Sequence, residues 1–283
     1  MSQGRCLCGA VRFRVEPPFG FFGHCHCSLC RKHHGSSFVT WLAAPTDAFE
    51  WLEGEDRVRR HRSSGHFDRA WCEVCASSLP APGERMTLVP AGTVVEGLEG
   101  APAQHIFVGS RAPWSELDDQ LERHDAWMDP DRSPAPVERP VRAPSRPGAI
   151  TGSCLCGGVA FELEGEPDGM RHCHCQRCRL ARAAAHATNL FGPAGALRFL
   201  RGSELVADFP LPEAERFGVA FCRECGGHVA RVVAGRPYAV VPAGSIDGDP
   251  GIRPSAHIFV GSKAEWFEIP GDLPQFEEYP PAT

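Results

Sequence analysis

Three thiols fall within six residues in CHCSLC, residues 25–30, and three more in CHCQRC, residues 173–178. Shorter pairs accompany each trio: Cys6-x-Cys8 with Cys72-x-x-Cys75, and Cys154-x-Cys156 with Cys222-x-x-Cys225. Disulfide frameworks usually join elements distant in sequence, whereas close-set pairs that converge suit a cation. A redox dithiol is the other chemistry open to a CxxC pair.

Seven thiolates divide as four and three. Residues i and i+2 of a strand point to one side, so Cys6 and Cys8 are expected to offer both thiolates to one ion. A CxxC turn supplies two more, and four thiolates make a closed structural zinc site. Cys6, Cys8, Cys72 and Cys75 are assigned to it in the first half, and Cys154, Cys156, Cys222 and Cys225 in the second. Cys25, Cys27 and Cys30, and likewise Cys173, Cys175 and Cys178, fall one ligand short. Three protein ligands and an open position mark a catalytic zinc, able to activate a thiol, water or carbonyl. Three alternatives stay open. His24, His33 or His34 can supply a fourth ligand and close the first trio, the pairs can combine differently, and thiolates can also hold an iron–sulfur cluster. His26 and His174 point away from the metal if the CxC is extended.

The elements that carry these cysteines occur twice. GRCLCGAVRFRVE (4–16) returns as GSCLCGGVAFELE (152–164), and HIFVGSRAPW (105–114) as HIFVGSKAEW (257–266). The offset is 148 at the first two cysteine groups, 150 at the CxxC and 152 at the histidine, so insertions fall between cysteine groups. Two copies are therefore expected, at 1–128 and 150–283. A proline- and arginine-rich linker at 129–149 joins them, since proline at that density continues neither helix nor central strand. At 283 residues, two domains of about 140 also match the size at which single cores stop growing.

The coarse structure is mainly β. VRFRV and VAFELEG alternate as half-buried strands do, and HIFVG reads as a strand buried on both faces. Ser115 followed by LDDQLERHDAWM predicts a helix in the first copy, and RLARAAAHA a short helix in the second copy only.

Net charge is −6 with no basic stripe, which argues against a nucleic-acid partner. No apolar run approaches the roughly 20 residues of a membrane span, and MSQGRCLCG has no leader-like core. A cytoplasmic protein is expected, in which fourteen cysteines stay reduced.

GRCLCGAVRF, GHCHCSLCRKHHGSSF, the CxxC pair, VPAGT and HIFVGSRAPW together resemble the glutathione-dependent formaldehyde-activating family, which includes centromere-protein-V-like proteins. The resemblance spans nearly all of both copies. It implies tandem β-tent domains, a four-cysteine structural zinc in each, and a second zinc on each three-cysteine cluster where glutathione or its formaldehyde adduct binds. The implied activity is carbon–sulfur bond making or breaking between a small thiol such as glutathione and a small aldehyde. The alternative is a non-catalytic, zinc-stapled binding scaffold. Arg31 and Lys32 are candidate partners for substrate carboxylates, with a surface ion pair as their other role. His105 and His257 are candidate proton carriers or satisfied strand-end histidines, and Trp114 and Trp266 are core or interface aromatics. In the second copy Lys32, Gly35 and Phe38 become Leu180, Ala183 and His186, while Gly226 becomes Ala76 in the first. The more complete CRKxxGxxF run favours the first copy as the catalytic one.

Overall fold

The computed structural model describes residues 1–129, 131 and 143–280. Of the expected linker, residues 130 and 132–142 lie outside the described residues. Each half is built from short strands, and only two α-helices occur among the described residues. Among the described residues no helix is long and apolar enough to cross a membrane.

In the first copy a four-stranded sheet runs in the order Val94–Glu96, Ser2–Arg5, Arg12–Val15, Phe49–Glu53. Alternation puts Phe13 and Val15 wholly in the core and leaves Arg12 and Arg14 exposed. A six-stranded sheet carries the site, with Phe21–Cys25 at its centre between Val39–Pro45 and the parallel strand Gln104–Ile106. That parallel register sets His105 beside His24 and Ile106 beside Cys25, so two motifs some eighty residues apart become neighbours. A three-stranded sheet, Val58–Ser64, Phe67–Cys72 and Ser78–Leu79, brings in the CxxC pair. The second copy repeats the plan, with Gly169–Cys173 between Ala187–Pro193 and His257–Ile258.

Several local expectations are corrected. Residues 115–128 form no helix; Glu122–Arg123 extends the six-stranded sheet, and Asp119 is drawn to His105. The short helix occurs in both copies, as α1 (Ser28–His34) and α2 (Gln176–Arg182). Each begins where a cysteine Sγ, Cys27 or Cys175, accepts the backbone N–H of the cysteine three residues on, at 3.4 Å. HIFVG is not a single strand: Phe107 and Phe259 adopt φ of 56° and 57°, and a 3₁₀ turn follows each. Cys6 and Cys8 sit in the turn after Ser2–Arg5 rather than on the strand. In the second copy the expected alternation fails at Glu162, which is buried because Ser145 and Arg198 hydrogen-bond its carboxylate.

The two copies pack as a pseudo-symmetric pair. Trp114 and Ala112 sit in the core of the second copy, while Trp266 and Ala264 sit in that of the first. Leu29 of α1 enters the second core, and Leu180 and Ala181 of α2 enter the first. Such self-complementary exchange is how isologous interfaces are made. At Gly92 an added Cβ would stand 2.1 Å from Ala184 N, and at the equivalent Gly244 2.3 Å from Arg31 O. Glycine is required at both places because each turn lies against the end of the other copy's helix.

Candidate metal centres

Folding gathers all fourteen cysteines into four groups: Cys6/Cys8/Cys72/Cys75, Cys154/Cys156/Cys222/Cys225, Cys25/Cys27/Cys30 and Cys173/Cys175/Cys178. Within each, every sulfur lies within 4.8 Å of the others, and no histidine nitrogen joins a group. None of the fourteen is in a disulfide.

The donor sets fit zinc. Tetrahedral coordination with bonds of about 2.3 Å separates sulfurs by about 3.8 Å. The observed separations include 3.4 Å for Cys6–Cys8, 3.8 Å for Cys8–Cys72, 3.5 Å for Cys154–Cys156 and 3.9 Å for Cys156–Cys222. In the trios, Cys25–Cys30 is 3.5 Å and Cys173–Cys175 is 3.6 Å. Crowded thiols also split their titrations. Hydrogen bonds from Cys173 and Cys178 hold Cys175 down to about 3, while the bond to Cys175 pushes Cys173 up to about 12. A bound cation removes this competition by replacing the shared protons.

The histidines considered as fourth ligands are engaged elsewhere or turned aside. His24 Nδ1 lies 2.8 Å from Thr40 Oγ1, and His34 Nδ1 lies 2.8 Å from the carbonyl oxygen of Arg182, which it meets as a donor. His33 is fully buried between His34 and Trp71. His26, as expected, points away from the thiols, its Nε2 lying 2.8 Å from His105 Nδ1. His174 and His257 repeat that contact at 2.8 Å. His105 Nε2 faces Asp119 at 3.0 Å, so both its nitrogens are taken; in the second copy Gly271 stands where Asp119 would be.

Arg31 lies beside its cluster but binds backbone. Its Nε donates to His26 O at 3.2 Å and its Nη2 to Ser110 O at 3.1 Å, tying the cysteine loop to the HIFVGS turn. Lys32 is elsewhere: its ammonium is buried in the second copy, on Asp247 Oδ1, Ser153 Oγ at 3.0 Å and the Ser153 and Ser245 carbonyls at 3.2 Å. The expected substrate contact is thus replaced by a bond between domains, because α1 is itself the interface.

The two trios differ in what faces them. Cys173, Cys175 and Cys178 open into a cavity of about 700 Å³. In the first copy large side chains pack on the cluster. Phe21, Trp41 and Phe107 pack with Cys25 and Cys30, and Phe67 and Trp127 lie against them. Arg69, 4 % exposed, donates from Nη2 to Cys30 Sγ at 3.4 Å. In strand register, Gly169, Asn189 and Val219 occupy the places of Phe21, Trp41 and Arg69. Three bulky side chains give way to smaller ones, and of these Asn189 and Val219 line the cavity.

The glutathione-dependent formaldehyde-activating enzyme family matches residues 1–110 and again 149–262. The chain belongs to that family, with its domain duplicated. A Halomonas elongata protein, provisionally named a glutathione-dependent formaldehyde-activating enzyme, is 26% identical over 129 residues, covering 42% of this chain and 82% of that protein. A crystal structure of a Rhodobacter sphaeroides protein aligns at 22% identity over 34% of this chain and 90% of that one, with a TM-score of 0.28 too low to bear on the fold.

Arg69, Val219 and Asn189 went unnoticed in the sequence. Their signal was available in the repeat itself, as large-for-small exchanges at equivalent positions.

Proposed function

We propose that this chain is a zinc-dependent carbon–sulfur lyase acting on a small thiol and a small aldehyde, of the S-(hydroxymethyl)glutathione synthase type. Its working site is the second trio, Cys173/Cys175/Cys178. The observation that carries this is the cavity of about 700 Å³ at those thiols, set against the aromatic packing at Cys25/Cys27/Cys30. The preference for the first copy as catalytic is reversed, because a complete CRKxxGxxF run puts its lysine into the interface rather than into a substrate site.

Cys173, Cys175 and Cys178 would hold the zinc, which when bound supplies positive charge that favours the thiolate form of an incoming thiol. In the adduct-forming direction one carbon–sulfur bond forms and the carbonyl π bond breaks. The thiol proton ends on the former carbonyl oxygen, and nothing is oxidised or reduced. Arg179 holds the cluster's loop as Arg31 does in the first copy, donating from Nε to Ser262 O at 3.2 Å. His174 and His257 brace the same loop from behind. Both are buried, which excludes water from that side of the cysteines.

The first copy supports a second reading, as a zinc-stapled scaffold. A buried guanidinium on Cys30 supplies one positive charge beside three thiolates, and aromatic rings cover them.

The test is single and direct. Zinc-loaded protein is mixed with glutathione and formaldehyde, and adduct formation is followed by NMR in wild type, Cys175→Ala and Cys27→Ala. Loss in Cys175→Ala with retention in Cys27→Ala is expected; the reverse pattern, or none above the uncatalysed rate in wild type, refutes the proposal.

A further inference from the structure

Between the two copies lies a second cavity, of about 240 Å³, whose walls come from both. Ser115 and Phe38 line it from the first copy, and His172, His186 and His257 from the second. One exchange accounts for the space. Ser115 follows Trp114 as Phe267 follows Trp266, so serine and phenylalanine are equivalents in the repeat. The Phe267 ring meets His24 at 6.0 Å, Phe38 at 6.1 Å and His186 at 5.7 Å. Under the pseudo-symmetry of the copies, a ring at 115 would meet the equivalents of these three, which are His172, His186 and Phe38. All three line the cavity. It therefore contains the place of one absent aromatic ring.

The walls carry hydrogen-bonding atoms but little positive charge. His172 Nδ1 lies 3.0 Å from Thr188 Oγ1, and His257 Nδ1 lies 2.8 Å from His174 Nε2. The Nε2 of each has no partner among the described residues and is not sealed from solvent. Burial holds His186 and His257 down to about 3 and about 4, so both are uncharged at neutral pH. Glu116, Asp118 and Asp119 also line the cavity and disfavour an anion. Arg253, at the same wall, is tied to Asp249 at 2.8 and 2.9 Å.

We propose that this cavity between the copies binds a small uncharged aromatic molecule bearing a hydroxyl, of the phenol class. The ring takes the place a phenylalanine would have at 115, among His172, His186 and Phe38. Cavities left by missing core groups take up molecules of the missing shape. The hydroxyl faces the open imidazole nitrogens. It both donates and accepts, so it pairs with an Nε2 in either tautomer. The site is separate from the metal centres, since none of the cysteines lines it.

The experiment titrates full-length wild type and Ser115→Phe with phenol and with benzoate by isothermal calorimetry. Wild type is expected to take phenol at least about tenfold more tightly than benzoate. Ser115→Phe, which copies Phe267, should weaken phenol by at least about tenfold. No phenol uptake by wild type, equal affinity for benzoate, or undiminished uptake by Ser115→Phe overturns the proposal. Wild-type crystals soaked with 4-bromophenol locate the ligand without any variant, which covers a variant that does not fold. A bromine anomalous peak among Ser115, His172 and His186 is expected; a peak only elsewhere, or none, overturns the proposal.

Discussion

Arg69 donates to Cys30 Sγ across 3.4 Å with both residues almost wholly buried, and Val219 stands at the equivalent place in the second copy. With Phe21 and Trp41, Arg69 packs on the first cluster, where smaller residues leave the second facing a cavity. If Arg69 closes the first site, an arginine at 219 should close the second. Val219→Arg is expected to keep its zinc and lose at least tenfold in thiol affinity. Unchanged affinity by calorimetric titration would break the link between this position and access.

The two kinds of cluster should fail differently. Structural zinc in small domains carries apparent binding energy of about 10–16 kcal/mol, comparable to a whole domain's stability. Cys72→Ala and Cys222→Ala are therefore expected to lose zinc and unfold their copy. Cys175→Ala should keep a cooperative melt and lose thiol uptake. Calorimetric melting with zinc quantification separates the cases, and an intact melt for Cys222→Ala contradicts the assignment.

Lys32 and Asp247 test the interface. Side-chain exposures are 5% and 1%, and desolvation by burial lowers the lysine's affinity for its proton while Asp247 restores part of it. Removing one partner of a buried pair leaves an uncompensated charge, so Lys32→Met is expected to cost about 3–5 kcal/mol. Gly244→Ala, which drives a Cβ into Arg31 O, should cost about 1–3 kcal/mol by overpacking. Urea midpoints read both, and wild-type values for either would show that the copies do not dock through α1.

Burial holds the His186 imidazole down to about 3, with His257 adding to the effect. Its folded pKa lies below the unfolded value of 6.5, so the unfolded chain binds the extra proton. Stability is full above pH 6.5 and falls as pH drops from there towards 3, by about 1.4 kcal/mol per pH unit for this group. His186→Phe, which copies Phe38, should flatten the slope between pH 6.5 and 4.5 by about one proton. An unchanged slope would remove His186 from the acid sensitivity.

Much of this was legible in the sequence. Cysteine spacing gave the four thiol groups, and the motif repeats gave the duplicated, mainly β organisation. Legibility failed where tertiary contact decides. The periodic stretch after Ser115 is not helical because Asp119 is engaged by His105 and Glu122–Arg123 pairs with Gln104–Ile106. α1 spans only seven residues, too few to show a helical period, and is fixed by a cysteine cap. The exchange of Trp114 and Trp266 between cores leaves no local trace, since a tryptophan reads as apolar whichever core receives it. Lys32, Gly35 and Phe38 stand in the conspicuous motif, whereas Phe21, Trp41 and Arg69, which pack beside the first cluster, lie on strands outside it.

The most direct measurement is a crystal structure of the zinc-loaded protein soaked with glutathione, with anomalous data at the zinc edge. Zinc at Cys173/Cys175/Cys178 with a glutathione sulfur as its fourth ligand, and no thiol at Cys25/Cys27/Cys30, is the predicted result. Glutathione on the first trio, or a protein side chain completing the second, would contradict the account.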